Sequence, residues 1–133
     1  MVNLSPHLVA RLLAYDDARL GPHSLAVWRD LCGAAGAGLP LAVVAFAAAM
    51  IDVVQHEDAG PAGYLDGAAF SFAGNKAALG WLRRRRNAIL HHEGPNDGLM
   101  GEVDAARWLA GDAERAITII LDYLDDLEVD GTA

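Results

Sequence analysis

Thirteen residues, Arg83 to Pro95 (RRRRNAILHHEGP), hold the densest chemistry in the chain: four guanidinium groups, a carboxamide, two imidazoles and a carboxylate. Periodicity places Asn75 to Leu90 in a helix, because Leu79, Leu82, Ile89 and Leu90 share one stripe when residues advance by about 100° each. Arg86 lies within that stripe. An arginine on an apolar face needs a carboxylate, a phosphate or a partner chain to meet its charge. Four consecutive arginines span about 300° of helix, so most of the others are expected at solvent. Metal binding is a second chemistry these side chains could perform, since His91, His92 and Glu93 are good ligand types, with His56 and Glu57 ending another helix. Adjacent helix residues diverge, however, and no HxxxE or HExxH spacing brings two ligands to one face. Neither a metal nor another cofactor is expected.

The rest of the chain must position this stretch. Its 133 residues, 53% hydrophobic and 21% charged, suffice for one domain with a sizeable core and argue against disorder. One helical-bundle domain is expected over residues 1–133, with its core at 5–127. The formal charge of −8 disfavours general nucleic-acid binding, so any such contact must be local. Lys76 is the only lysine among ten basic residues, and Arg83 to Arg86 is the one dense basic cluster. Cys32, the single cysteine, cannot form an internal disulfide, which fits a reducing cytoplasm. It reads as a small buried hydrophobe. The first residues lack the basic start and cleavage site of a signal peptide. Leu39 to Val54 is very apolar, but Asp52 interrupts it and it falls short of the roughly 20 residues of a membrane helix. The expectation is a cytoplasmic protein with no membrane partner.

Ser5-Pro6 supplies an N-cap and a first helical proline, and Leu8, Leu12 and Tyr15 mark one face of a helix ending before Gly21-Pro22. Ser24 can cap a second helix whose buried side is Leu25, Trp28, Leu31 and Cys32, ended by the glycines of Gly33 to Gly38. Pro40 opens a third, running to about His56 and apolar on nearly every side, with Asp52 its only formal charge. A Gly, Ala and Pro-rich loop follows from Asp58 to Gly74, with Tyr64, Phe70 and Phe72 expected to fold back on the core. After the arginine-rich helix and a loop from Gly94 to Gly101, a last helix spans about Glu102 to Leu127. Val103, Ala106, Ala110, Ala113, Ile117, Ile120, Leu124 and Leu127 give it a seam. The sum is an all-α, up-and-down bundle of four to five helices.

Within that frame, Arg86-Asn87-Ala88-Ile89-Leu90-His91 resembles the HEPN superfamily motif of Arg, four to six residues, and His, with Asn in the favoured place after Arg. The form RNxxxHHE is similar to that of Abi-like phage-defence members. The resemblance implies a HEPN-like bundle, a homodimer whose facing motifs form a cleft, and in active members metal-independent cleavage of RNA in defence or toxin–antitoxin biology. It assigns His91, or His92 in the alternative register, to general acid–base work at a ribose hydroxyl, for which imidazole suits because its ordinary titration range spans neutrality. It assigns Arg86 to the scissile phosphate and Asn87 to orienting the pair. Arg83 and Arg85 are the accompanying RNA-phosphate contacts, and an antitoxin or other protein is the implied partner. Glu93 stands where the toxin branch paired with minimal nucleotidyltransferases has a modifiable Tyr, so adenylylation at that place does not carry over. Nor does the chain contain a glycine-rich phosphate loop for an adenine nucleotide.

A structural account competes with the catalytic one. Arg86 can pair with Asp52 to fix how two helices meet, and the histidines can be helix-end residues favoured by the dipole. The protein would then be a non-catalytic interaction module of the same fold. On a straight helix His91 projects about 140° from Arg86, so one site needs a loosened helix end or a second protomer.

Overall fold

The computed structural model describes residues 3–57 and 75–131, with side chains as far as Leu127. Ser5 caps α1 (Pro6–Ala14) by accepting the Leu8 N–H, with Pro6 at the first helical position. The helix is shorter than expected. Tyr15 turns extended, and Asp16 caps a separate 3-10 turn, Asp17–Arg19. Leu12 is fully buried, and the Tyr15 ring meets Trp28 with centroids 4.9 Å apart. α2 (Pro22–Ala37) runs through Gly33 and Gly36 and stops only at Gly38, whose φ of 69° suits a residue without Cβ. Leu39 alone then separates Gly38 from α3 (Pro40–His56), making α2 and α3 antiparallel neighbours.

α3 is enclosed. It packs against α2, α4 (Lys76–His91) and α5 (Ala105–Gly131), burying Val43, Val44, Ala47, Met50, Ile51 and Val54. α1 lies across α2 and α5. The described residues thus form an all-α bundle of five helices with no strand. The expected loop from Asp58 to Gly74, with Tyr64, Phe70 and Phe72, lies outside the described residues. Among the described residues no helix is long and apolar enough to cross a membrane.

The seam of α5 is buried at Ala113, Ile117, Ile120, Leu124 and Leu127, but Val103 and Ala106 are exposed. α5 starts at Ala105 rather than Glu102, because the Glu102 carboxylate instead closes the preceding loop onto the N–H groups of Gly98 and Met100, both at 2.7 Å. Its own N–H first, then those of Gly98 and Met100, hold its carboxyl below the usual range. Cys32 is half-buried, and burial, aided by Asp17, pushes its thiol up to about 11, so it is a poor nucleophile at neutral pH.

Ser24 does not cap α2 as expected; it is buried inside the first turn. The cap comes from across the bundle. Glu57, just past the end of α3, accepts from the N–H groups of His23 at 2.8 Å and Ser24 at 3.2 Å, and from the Ser24 hydroxyl. Gly21 leaves the necessary space, since a Cβ there would collide with the Glu57 carboxylate. Burial alone would raise the Glu57 carboxyl, but the Ser24 hydroxyl and the two N–H groups outweigh it and hold it below the usual range. A lowered folded value means that the stabilisation is complete above about pH 4.5 and is lost as pH falls through the folded value. Glu57→Ala is therefore expected to cost about 1–2 kcal/mol at pH 7. Urea unfolding should show this gap narrowing toward pH 3.

Candidate functional site

α4 is a regular helix with well-made ends. Asn75 accepts from the N–H groups of Ala77 at 2.9 Å and Ala78 at 3.1 Å, and His92 closes the helix in the left-handed region at φ 55°. The His92 N–H reaches Ala88 O at 3.0 Å. The buried stripe is Leu79, Leu82, Arg85 and Ala88, whereas Leu90 points to solvent. The arginine at the centre of the apolar face is therefore Arg85, and Arg86 stands at its edge.

Arg85 is only 8% exposed. Its Nε donates to Asp112 Oδ2 on α5 at 2.7 Å, its Nη1 to Pro95 O at 3.4 Å, and its Nη2 to Asp97 O. One guanidinium thus ties α4, α5 and the intervening loop together. The expected role of Arg85 as an RNA-phosphate contact does not fit this placement, because its donors face the protein. Gly98, at φ 80°, lets the loop lie close, as a Cβ there would sit 3.3 Å from Arg85 Nη2 and 3.4 Å from Trp108 Cβ.

Arg86 faces α3. Its Nη1 donates to Asp52 Oδ2 at 2.6 Å, and its Nε and Nη2 donate to Asn87 Oδ1 at 3.4 and 3.2 Å. Its side chain remains 23% exposed. Arg83 approaches the other Asp52 oxygen at 3.9 Å, so two guanidiniums share one carboxylate and the cluster keeps a net positive charge. Three bonds out of five N–H donors leave Arg86 two without a protein partner among the described residues.

His91 and His92 are exposed. The helix does not loosen before His91, so Arg86 and His91 leave the axis about 140° apart within one chain. Asn87 bridges part of that angle: it holds the Arg86 guanidinium and sits one turn before His91. Arg83, Asn87 and His91 follow at four-residue steps along one face. His92 leaves the helix in another direction because of its left-handed backbone. His56 Nδ1 lies 2.7 Å from the Asp52 carbonyl, within α3. Among the described residues no three His, Cys, Asp or Glu side chains converge as a metal site.

Sequence reasoning missed Asp112, the partner of Arg85, and Tyr123. The three-residue spacing Leu79, Leu82, Arg85, Ala88 was the available signal for the first. Tyr123 is fully buried on the α5 seam, and among the described residues its hydroxyl has no partner in hydrogen-bond geometry. Burial, with Asp52 adding to it, raises its phenol, while nearby Gln55 and Arg83 oppose this. Compared with known proteins, the chain matches no family model, no curated protein and no solved structure.

The three arginines should separate in urea unfolding. Arg85→Ala is expected to cost about 2–4 kcal/mol by orphaning Asp112 and two loop carbonyls. Arg86→Ala should cost about 1, and Arg83→Ala less than about 0.5. His92→Gly should raise stability by about 0.5–1 kcal/mol, since glycine enters the left-handed cap without strain; a lowered unfolding midpoint would contradict this.

Proposed function

We propose that this is a HEPN-like protein acting on RNA, a metal-independent endoribonuclease working as a homodimer in prokaryotic defence or toxin–antitoxin biology. One observation carries the reading: the Arg86 guanidinium is held by Asp52 and Asn87 at the protein surface, with Asn87 one turn before His91. A pre-oriented, partly exposed guanidinium with two open donors suits a phosphodiester. The exposed imidazole suits removal of the adjacent 2′-hydroxyl proton. The 2′-oxygen then attacks phosphorus, the bond to the 5′-oxygen breaks, and that oxygen takes a proton. The products are a 2′,3′-cyclic phosphate and a 5′-hydroxyl. A second copy supports the same chemistry by offering its own His91 across the cleft, since the straight helix separates Arg86 and His91 within one chain. The register favoured is His91, which shares a face with Asn87.

A non-catalytic module binding another protein is the second reading. It is favoured by an apolar cleft of about 380 Å³ lined by Leu39, Pro40, Leu41, Ala42 and Leu109. Cleavage of a mixed RNA pool in EDTA separates the two. Wild type should cut and leave cyclic phosphate ends, and His91→Ala should lower the rate on the order of 100-fold or more while keeping its circular dichroism. Loss of activity in His92→Ala with full activity in His91→Ala would reverse the register. A folded, dimeric wild type that cuts no RNA class would favour the module.

A further inference from the structure

We propose that the cleft between α4, the Glu93 to Asp104 loop and α5 is a stacking subsite for one unstacked base of single-stranded RNA; the proposal rests on the RNA reading above and assigns that substrate a second point of contact. The cleft holds about 210 Å³ and is lined by Trp81, Arg85, Pro95, Asp97, Trp108 and Asp112. A smaller, more enclosed pocket of about 40 Å³ beside it shares Trp81, Arg85 and Pro95 and reaches Arg84. Clefts that enclose drug-sized ligands run to roughly 300–1,000 Å³, so this one suits a flat ring system rather than a whole nucleotide.

The lining chemistry points to a base. Trp108 leaves 49% of its surface in water, an indole placed on a wall rather than in the core. The Arg115 guanidinium lies 4.0 Å from the Trp81 ring centroid, fixing that indole and adding positive charge. Indole faces accept any base by stacking. The Asp97 carboxylate has no partner among the described residues, and Asp112 uses one oxygen on Arg85. Carboxylates of this kind accept from the N–H edge of a base and repel a phosphate, which must therefore lie outside. Arg84 waits there: it is exposed, and its Nη1 lies 3.2 Å from where a Cβ on Gly80 would stand. Around α4, Arg84 is about 60° from Trp81 and about 20° from His91, so it joins the cleft to the face bearing Asn87 and His91. A strand crossing α4 can stack a base on Trp108 and carry its backbone over Arg84 toward His91 and Asn87.

The test is binding of a 2′-O-methyl RNA ten-mer, which cannot be cleaved through its 2′-oxygen, followed by fluorescence anisotropy and by indole emission. Wild type should bind with quenching of its emission. Trp108→Ala should weaken binding on the order of 10-fold, and Trp108→Phe, which keeps a stacking face, should restore most of it. Unchanged affinity in Trp108→Ala, or wild-type binding without quenching, overturns the subsite and leaves the RNA reading standing. Wild type that binds no RNA overturns both.

Discussion

α3 is buried on nearly all sides yet carries one carboxylate, and the arrangement of α4 depends on how that charge is met. Asp52 cannot face the apolar interior, so it emerges at the one edge where α4 approaches, and Arg86 and Arg83 close on it. This sets the rotation of α4. With Arg86 committed to α3, the helical step of about 100° turns Arg85 inward, toward Asp112 and the loop. Neighbouring arginines, chemically identical, thus acquire different work. One fastens three elements in near-complete burial; the other keeps donors at the surface.

That division bears on function. On the proposed reading, a guanidinium that holds a transient phosphate has to be oriented without being consumed, and Arg86 has Asp52 and Asn87 using three of its donors. Arg85 contributes indirectly, by holding the loop that forms one wall of the tryptophan cleft. The exposed side of α4 is locally basic on a chain whose formal charge is −8. On the same reading, an acidic protein with one basic face restricts where a polyanion can dock, because repulsion elsewhere disfavours other poses.

Carboxylates cap backbone N–H groups twice in the fold, once from across the bundle and once locally. Glu57 supplies the acceptor that α2 lacks at its own N-terminus, and Gly21 is where the approach requires no side chain. Glu102 does the same for the loop before α5. In both cases a carboxylate meets backbone N–H groups that have no partner within a helix, at the first turn of α2 and in the loop before α5.

Local rules were legible in the chain itself. Ser5-Pro6, the bounds of α3, the start of α4 at Asn75 and the all-α class follow from capping chemistry and 3.6-residue periodicity, which depend only on neighbours in sequence. The Asp52–Arg86 pair was also readable, because Asp52 is the lone charge on α3 and calls for a cation from the basic run, although Arg86 proved to stand at the edge of the α4 stripe. What only the tertiary structure decided is which arginine goes inside, since four in a row hide the stripe and the choice rests on Asp112, in another helix. Likewise the N-cap of α2 comes from Glu57, and the upper seam of α5 is exposed although its pattern is apolar, because no helix among the described residues packs there. Sequence periodicity states that a face is apolar; only the packing of the other elements decides whether anything covers it.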